Sequence, residues 1–192
     1  MREQVYKIYK FDELTDSAKE KAREWYRKDL DFDGAGDIKD DAKEVASLFG
    51  LEIDEIYYSG FYSQGDGACF TGRYEYKKGA LKAVKAEYPN DIDLHKIVER
   101  LQYEQARYFF AVTAQIDHRG HYYRSGCMSI DIEHCYNRYQ NVDKFDTDLF
   151  RNFADWIYKR LEMEWDYQNS DEAVDESITC NEYEFYENGD IV

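Results

Sequence analysis

Apolar and polar positions alternate in some stretches of the chain and recur every three or four residues in others. Over Gln4–Lys10 the alternation of Val5, Tyr6, Lys7, Ile8 and Tyr9 predicts a strand. Helical spacing follows at Ala18, Ala22, Trp25, Tyr26 and Leu30, behind a cap at Thr15 or Asp16. Gly34 and Gly36 break that helix, and Asp37 starts a short one carrying Ile38, Ala42, Val45, Ala46 and Phe49, stopped by Gly50. Leu51–Tyr62 and Cys69–Tyr76 then read as hairpin partners, joined through a loop of Ser63, Gln64, Gly65, Asp66 and Gly67. Gly60 and Gly72 fall inside the flanking runs, where glycine marks a bulge or a close backbone approach. Gly79–Tyr88 reads as a helix ended by Pro89. Asp91 or Asp93 caps another, whose stripe is Leu94, Ile97, Val98, Leu101 and Gln105.

Arg107–Glu133 reads as a second hairpin. Tyr108, Phe110, Val112, Ala114 and Ile116 share one face, and Arg124, Gly126, Met128, Ile130 and Ile132 share one face on the return. A two-residue turn would set the apolar positions of the two strands on opposite faces, which a half-buried sheet does not tolerate. A three-residue loop, Arg119-Gly120-His121, pairs Val112 with Met128 and Phe110 with Ile130, and that register (or an equivalent bulge at Gly126) is the one expected. Asp143 opens the last long helix, with Leu149, Phe150, Phe153, Trp156, Ile157, Leu161 and Trp165 as its core stripe. Ser170-Asp171-Glu172 caps a short helix reaching about Cys180, and Tyr183–Tyr186 reads as a last strand. The class is α+β: an antiparallel sheet built from two hairpins plus terminal strands, covered by helices, in a single domain over residues 1–192.

Composition supports a packed core, with 43% hydrophobic and 17% aromatic residues. No apolar run approaches the length needed to span a bilayer, and the MREQVYKIYKF start lacks the apolar centre of a secretion signal, so a cytoplasmic location is expected. In a reducing compartment Cys69, Cys127, Cys135 and Cys180 read as free thiols. The net charge of -16 disfavours direct nucleic-acid binding and favours a partner with a basic surface. Lys19, Lys21, Arg23, Arg27 and Lys28 make one helix face locally basic, and this reads as a solvated surface. From Leu161 onward the chain carries eleven carboxylates and no Lys or Arg. Glu162, Glu164, Asp166, Asp171, Glu172, Asp175 and Glu176 are the expected partner-binding residues, with Trp165 and Tyr167, and further Tyr183 and Tyr186, as aromatic anchors. Glu172, Asp175 and Glu176 are expected to be exposed, and acids at helical spacing approximate a row of phosphates.

Four stretches carry a resemblance. They are YYSGFYSQGDGACFTG in the first hairpin, KFDELTDSAKEKAREWYR, HRGHY ending at Tyr122, and SDEAVDESITCNEYEF. Together they resemble a family of proteins carried by tailed bacteriophages and prophages, often labelled as the antitoxin of a toxin–antitoxin stability system. The resemblance implies a phage origin, and with it the cytoplasm of a bacterial host. It supplies no chemistry.

The residues themselves show no catalytic signature: G-x-S-x-G, H-E-x-x-H and Walker-type patterns are absent. His118, His121, Cys127, His134 and Cys135 are zinc-type ligands close in sequence. On the expected hairpin, however, Cys127 lies roughly 17 Å from the turn at strand rise, so no metal site is expected. No cofactor is expected either. The function these features point to is a phage-encoded, acidic, non-enzymatic binding protein. It would inhibit a basic host protein, a defence nuclease or another nucleic-acid-binding complex, with DNA mimicry as one route. Two alternatives stand beside it. One is sequestration of a nucleotide signal, with the Gly60–Gly72 hairpin and Arg73, Arg119 or Arg124 holding phosphates. The other is an antitoxin that neutralises a cognate toxin. The Ser63–Gly67 loop is a candidate recognition loop in its own right.

Overall fold

A computed structural model describes residues 6–136 and 141–192. Gln4 and Val5 of the first expected strand lie outside them. The class is α+β, as the patterning indicates. The contacts gather into two compact units, where the sequence reads as one domain. The first comprises Met1–Gly34 and Met163–Val192, and the second Ala35–Glu162.

The second unit holds α2 (Ala35–Leu48), β2 (Leu51–Ser59), β3 (Gly67–Glu75), α3 (Ala80–Glu87), α4 (Ile92–Arg107), β4 (Val112–His118), β5 (Met128–His134) and most of α5 (Asp148–Gln168). Its strands form one antiparallel sheet in the order β2-β3-β4-β5. The register places Leu51, Ile56, Phe70, Tyr74, Ala114 and Ile116 on one face, all of them buried. Phe153 of α5 packs there against Phe49 and Phe70, with ring centroids 5.1 and 6.0 Å apart, and Phe150 packs on Tyr74 at 5.2 Å. The opposite face carries Glu52, Glu55, Arg73, Glu75, Gln115, Asp131 and Glu133, all exposed. Gly72 sits opposite a bulge between Ile53 and Glu55, and a Cβ there would lie 2.1 Å from the Glu52 carbonyl oxygen. The close approach expected at that glycine is thus real, and a side chain would push the strands apart.

The second hairpin corrects its expected register. Val112 pairs with His134 and Ile116 with Ile130, so the strands are offset by six residues from the expected pairing. Phe110 is not in a strand: it and Phe109 have φ of 59° and 55° in the turn that follows α4. An even offset leaves every side chain on its expected face, because the side-chain period along a strand is two. Gly120 is not the centre of a tight turn. The connection runs from Arg119 into a single 3-10 turn, Ser125–Cys127, and closes where the Arg119 amide donates to the Cys127 carbonyl at 2.9 Å. Gln105 of α4 is fully buried, and its amide replaces a strand neighbour for Val112. Gln105 Nε2 donates to the Val112 carbonyl at 2.7 Å, and the Val112 amide donates back to Gln105 Oε1 at 3.2 Å.

The first unit holds β1 (Ile8–Lys10), α1 (Asp16–Lys28), the end of α5, α6 (Asp171–Cys180) and β6 (Glu184–Tyr186). The two terminal strands pair with each other as a separate antiparallel sheet. Phe11, Leu14, Ala18, Ala22, Val174, Ile178 and Phe185 make its core. Two of the caps read from the sequence form as expected: Ser170 accepts from the Ala173 amide, and in the second unit Asp91 accepts from the Leu94 amide; Thr15 takes the N-cap position of α1 without a side-chain cap hydrogen bond.

Candidate functional site

Within the first unit, the end of α1, the segment after it, the end of α5 and α6 enclose an open groove of about 900 Å³. Its carboxylates are Asp29, Asp31, Asp33, Glu164 and Glu176, and its aromatic wall is Trp25, Tyr26, Tyr167 and Tyr183. Among the described residues no Lys or Arg lines it. The wall is fixed by edge-to-face packing: Trp25 stands 5.2 Å from Tyr183 and 5.9 Å from the buried Phe185, and Tyr26 stands 6.4 Å from Tyr183. Gln168 Nε2 donates to Glu164 Oε1 at 2.9 Å, which orients that carboxylate. Gly34 admits it, since a Cβ there would lie 2.8 Å from Glu164 Cγ. Carboxylates gathered in a concave, partly apolar wall focus their field on a cation more strongly than the same charges on an open surface.

The structure separates the expected partner-binding residues. Glu164, Tyr167 and Glu176 line the groove. Glu172 and Asp166 are exposed, and Glu162 is partly buried and belongs to the second unit. Trp165 is half-buried and packs at 5.8 Å against Phe32 of its own unit, so it braces the fold. Asp171 and Asp175 correct two expectations at once. Arg23 clasps Asp175 in a two-pronged pair, with Nε to Oδ1 and Nη2 to Oδ2 both at 2.6 Å. Arg27 pairs with Asp171 and donates to the Asn169 carbonyl at 3.0 Å. Lys21 reaches Asp190 at 2.7 Å, and Lys10 reaches Glu184 at 3.1 Å. Lys21, Arg23 and Arg27 of the basic face of α1 are therefore matched to acids of the C-terminal segment, and Asp175 is only partly exposed.

Electrostatic shifts agree with these pairs. The Arg27 hydrogen bond holds the Asp171 carboxyl below its ordinary range, and Lys21 does the same for Asp190. Asp175 holds the Arg23 guanidinium above its ordinary range, against the opposing effect of burial. Replacing Asp175 with Asn is expected to lower stability by about 1–3 kcal/mol, because it leaves a half-buried guanidinium without its charge partner. Glu172→Gln, at an exposed position, changes it by less than about 0.5 kcal/mol. Urea unfolding of the two variants side by side measures the contrast.

The Ser63–Gly67 loop lies in the second unit. The Ser63 amide donates to Asp66 Oδ2 at 2.6 Å, so the Asp66 carboxylate is committed to holding the turn. Two residues of the other loop press on its glycines. A Cβ on Gly65 would meet the Tyr122 ring at 3.5 Å, and one on Gly67 would meet Arg124 Cβ at 2.9 Å. The Arg124 guanidinium lies 5.6 Å above the Tyr122 ring, and Tyr123 stacks on Tyr57 at 5.3 Å. Gln64, Tyr62 and Tyr122 are exposed. Arg73 does not join this group: it pairs with Glu52 at 2.9 Å on the open sheet face, in register with Gln115. Cys127 lies 4.0 Å from the position of a Gly120 Cβ, so the distance expected between them along the strand does not hold. Burial pushes the Cys69 thiol up to about 11, with nearby Cys127 adding to the shift. Among the described residues no three His, Cys, Asp or Glu side chains form a group able to hold a metal ion.

Residues 35–171 match the family described as a domain of unknown function, DUF8835. The chain belongs to that family. No curated protein and no solved structure matches. The DUF8835 stretch begins with the first residue of the second unit and extends past that unit's end at Glu162 to Asp171. It contains the loop of Ser63–Gly67 and, from the groove, Glu164 and Tyr167. Asp29, Asp31, Asp33 and Trp25 precede it, and Glu176, Cys180 and Tyr183 follow it. No helix of the described residues is long and apolar enough to cross a membrane.

Proposed function

We propose that this protein is a phage-encoded, non-enzymatic binding protein that docks on a basic host protein and blocks its contact with nucleic acid. The observation that carries the reading is the groove: five carboxylates over an aromatic wall, with no cation among the described residues of its lining. A chain of charge -16 supplies long-range attraction to a basic partner, and the half-buried rings supply area to desolvate. A second acidic surface, the open sheet face, adds to mimicry. Asp131 and Glu133 stand two residues apart on β5, about 6.7 Å at strand rise, close to two phosphate steps of about 3.4 Å.

Capture from bacterial lysate on the immobilised protein, eluted in steps of salt, tests this. The expected eluate is a basic nucleic-acid-binding protein, released as salt rises because exposed charges are screened beyond about 8 Å at physiological ionic strength. Recovery of acidic proteins alone overturns the reading.

Sequestration of a nucleotide is a second reading, favoured by the placement of Arg124 and Tyr122 on the glycines of the Ser63–Gly67 loop. Native mass spectrometry of protein purified from host cells decides it: a copurifying nucleotide lost on Arg124→Ala supports it, and bare protein refutes it.

A further inference from the structure

The chain contains a worked example of how it holds an arginine. In the second unit the Arg160 guanidinium lies 4.6 Å over the Trp156 ring, with the Asp41 and Asp91 carboxylates 3.2 and 3.7 Å away. One tryptophan face and two carboxylates satisfy both the flat π-surface and the fork of N–H donors. The groove of the first unit has the same ingredients in its lining, Trp25, Asp29 and Glu176, and among the described residues no arginine lines it. Its volume falls within the ~300–1,000 Å³ of ordinary ligand sites, which is room for a short stretch of peptide.

We infer that the groove binds an arginine side chain carried on a short basic segment of the partner. This deepens the docking reading above and rests on it for the partner's identity, but not for the chemistry. Arginine fits better than lysine. Its planar guanidinium stacks on aromatic rings, pairs with carboxylates through two N–H groups, and is less strongly hydrated than an ammonium. Arg23 behaves alike: it forks onto Asp175 while lying 5.9 Å from the Phe11 ring. A lysine in the groove would gain charge and ring attraction but neither the planar stacking nor the two-pronged pairing.

The test uses the full chain and two fluorescein-labelled peptides, (Gly-Arg)4 and (Gly-Lys)4, followed by anisotropy at 150 mM salt. Two variants of equal charge change separate groove from general acidity. One is Glu164→Gln with Glu176→Gln in the groove; the other is Asp131→Asn with Glu133→Gln on the open sheet face. Cys180, an exposed thiol in the groove lining, gives a local readout by alkylation rate in a Cys135→Ser background. The expected result is at least tenfold tighter binding of the arginine peptide. The groove variant weakens it at least tenfold, the sheet variant less than threefold, and bound peptide slows Cys180 alkylation. Equal affinity for the two peptides, equal loss in both variants, or unchanged Cys180 reactivity each overturns the inference. The two readings fail separately. Lysate capture of a basic protein without arginine preference keeps the docking and sinks the arginine site. Arginine selectivity without lysate capture does the reverse.

Discussion

Phe185→Ala is expected to cost about 3–5 kcal/mol and to remove peptide binding by the groove along with it. Phe185 is fully buried on β6, meets Phe11 at 6.3 Å and Trp25 at 5.9 Å, and bridges to Ile191. Truncation removes the ring that backs the aromatic wall and opens a cavity in a core of seven buried side chains among the described residues. For a small unit whose total stability is about 5–15 kcal/mol at most, that is a large fraction. Chemical unfolding followed by near-UV circular dichroism, with peptide anisotropy on the same samples, reads both effects. Phe185→Leu, nearer in volume, should cost less than about 1.5 kcal/mol and keep the groove. If Phe185→Ala unfolds at the wild-type denaturant concentration, the first unit is not held together by this core.

Gln105→Leu is expected to lower stability by about 2–4 kcal/mol, although the substitution adds apolar bulk at a buried site. The cost lies in the backbone. The Val112 amide and carbonyl are both satisfied by the Gln105 side chain, and leaving a buried group unpaired costs about 1–3 kcal/mol each. Native-state hydrogen exchange gives a local signature: the Val112 amide should lose protection far more than amides in α1. A Gln105→Leu protein as stable as the wild type would show that water takes over both contacts.

The helices were legible because their signals are local. Asp91 and Ser170 cap as their side-chain chemistry requires, and the apolar stripes of α4 and α5 are the buried ones, except for the half-buried Trp165. The second hairpin was legible only in part. Alternation reports which face a residue takes, and every even slip of register satisfies it equally, so Val112 could be assigned its face but not His134 as its partner. Nothing local announced that Phe109 and Phe110 would take positive φ and delay the strand to Val112. In the groove, Glu164, Tyr167 and Glu176 were visible as part of an acidic, aromatic end. Asp29, Asp31 and Asp33 lie just before the glycines that break the helix, and Trp25 and Tyr26 belong to its apolar stripe, so neither set marks a groove by itself. The alternating acids at 29, 31 and 33 were the available clue. The pairing of Arg23 with Asp175 spans 152 positions, and no reading of neighbouring charges reaches that far.

The first unit is assembled from the two ends of the chain, and this bears on how the protein is made. On a ribosome, Phe11, Leu14, Ala18 and Ala22 emerge before the second unit, whereas Val174, Ile178 and Phe185, which cover them, emerge only after it. At about 5–20 residues per second, the nascent α1 waits about 8–30 s for its partners, while every residue of the second unit is translated in between. Throughout that interval Arg23 and Arg27 have Glu20 of their own helix but not Asp171 and Asp175, and the apolar stripe is uncovered. A transcript that stalls before α6 would therefore release a chain whose leading helix is sticky and basic, a substrate for chaperones and proteases rather than a working protein.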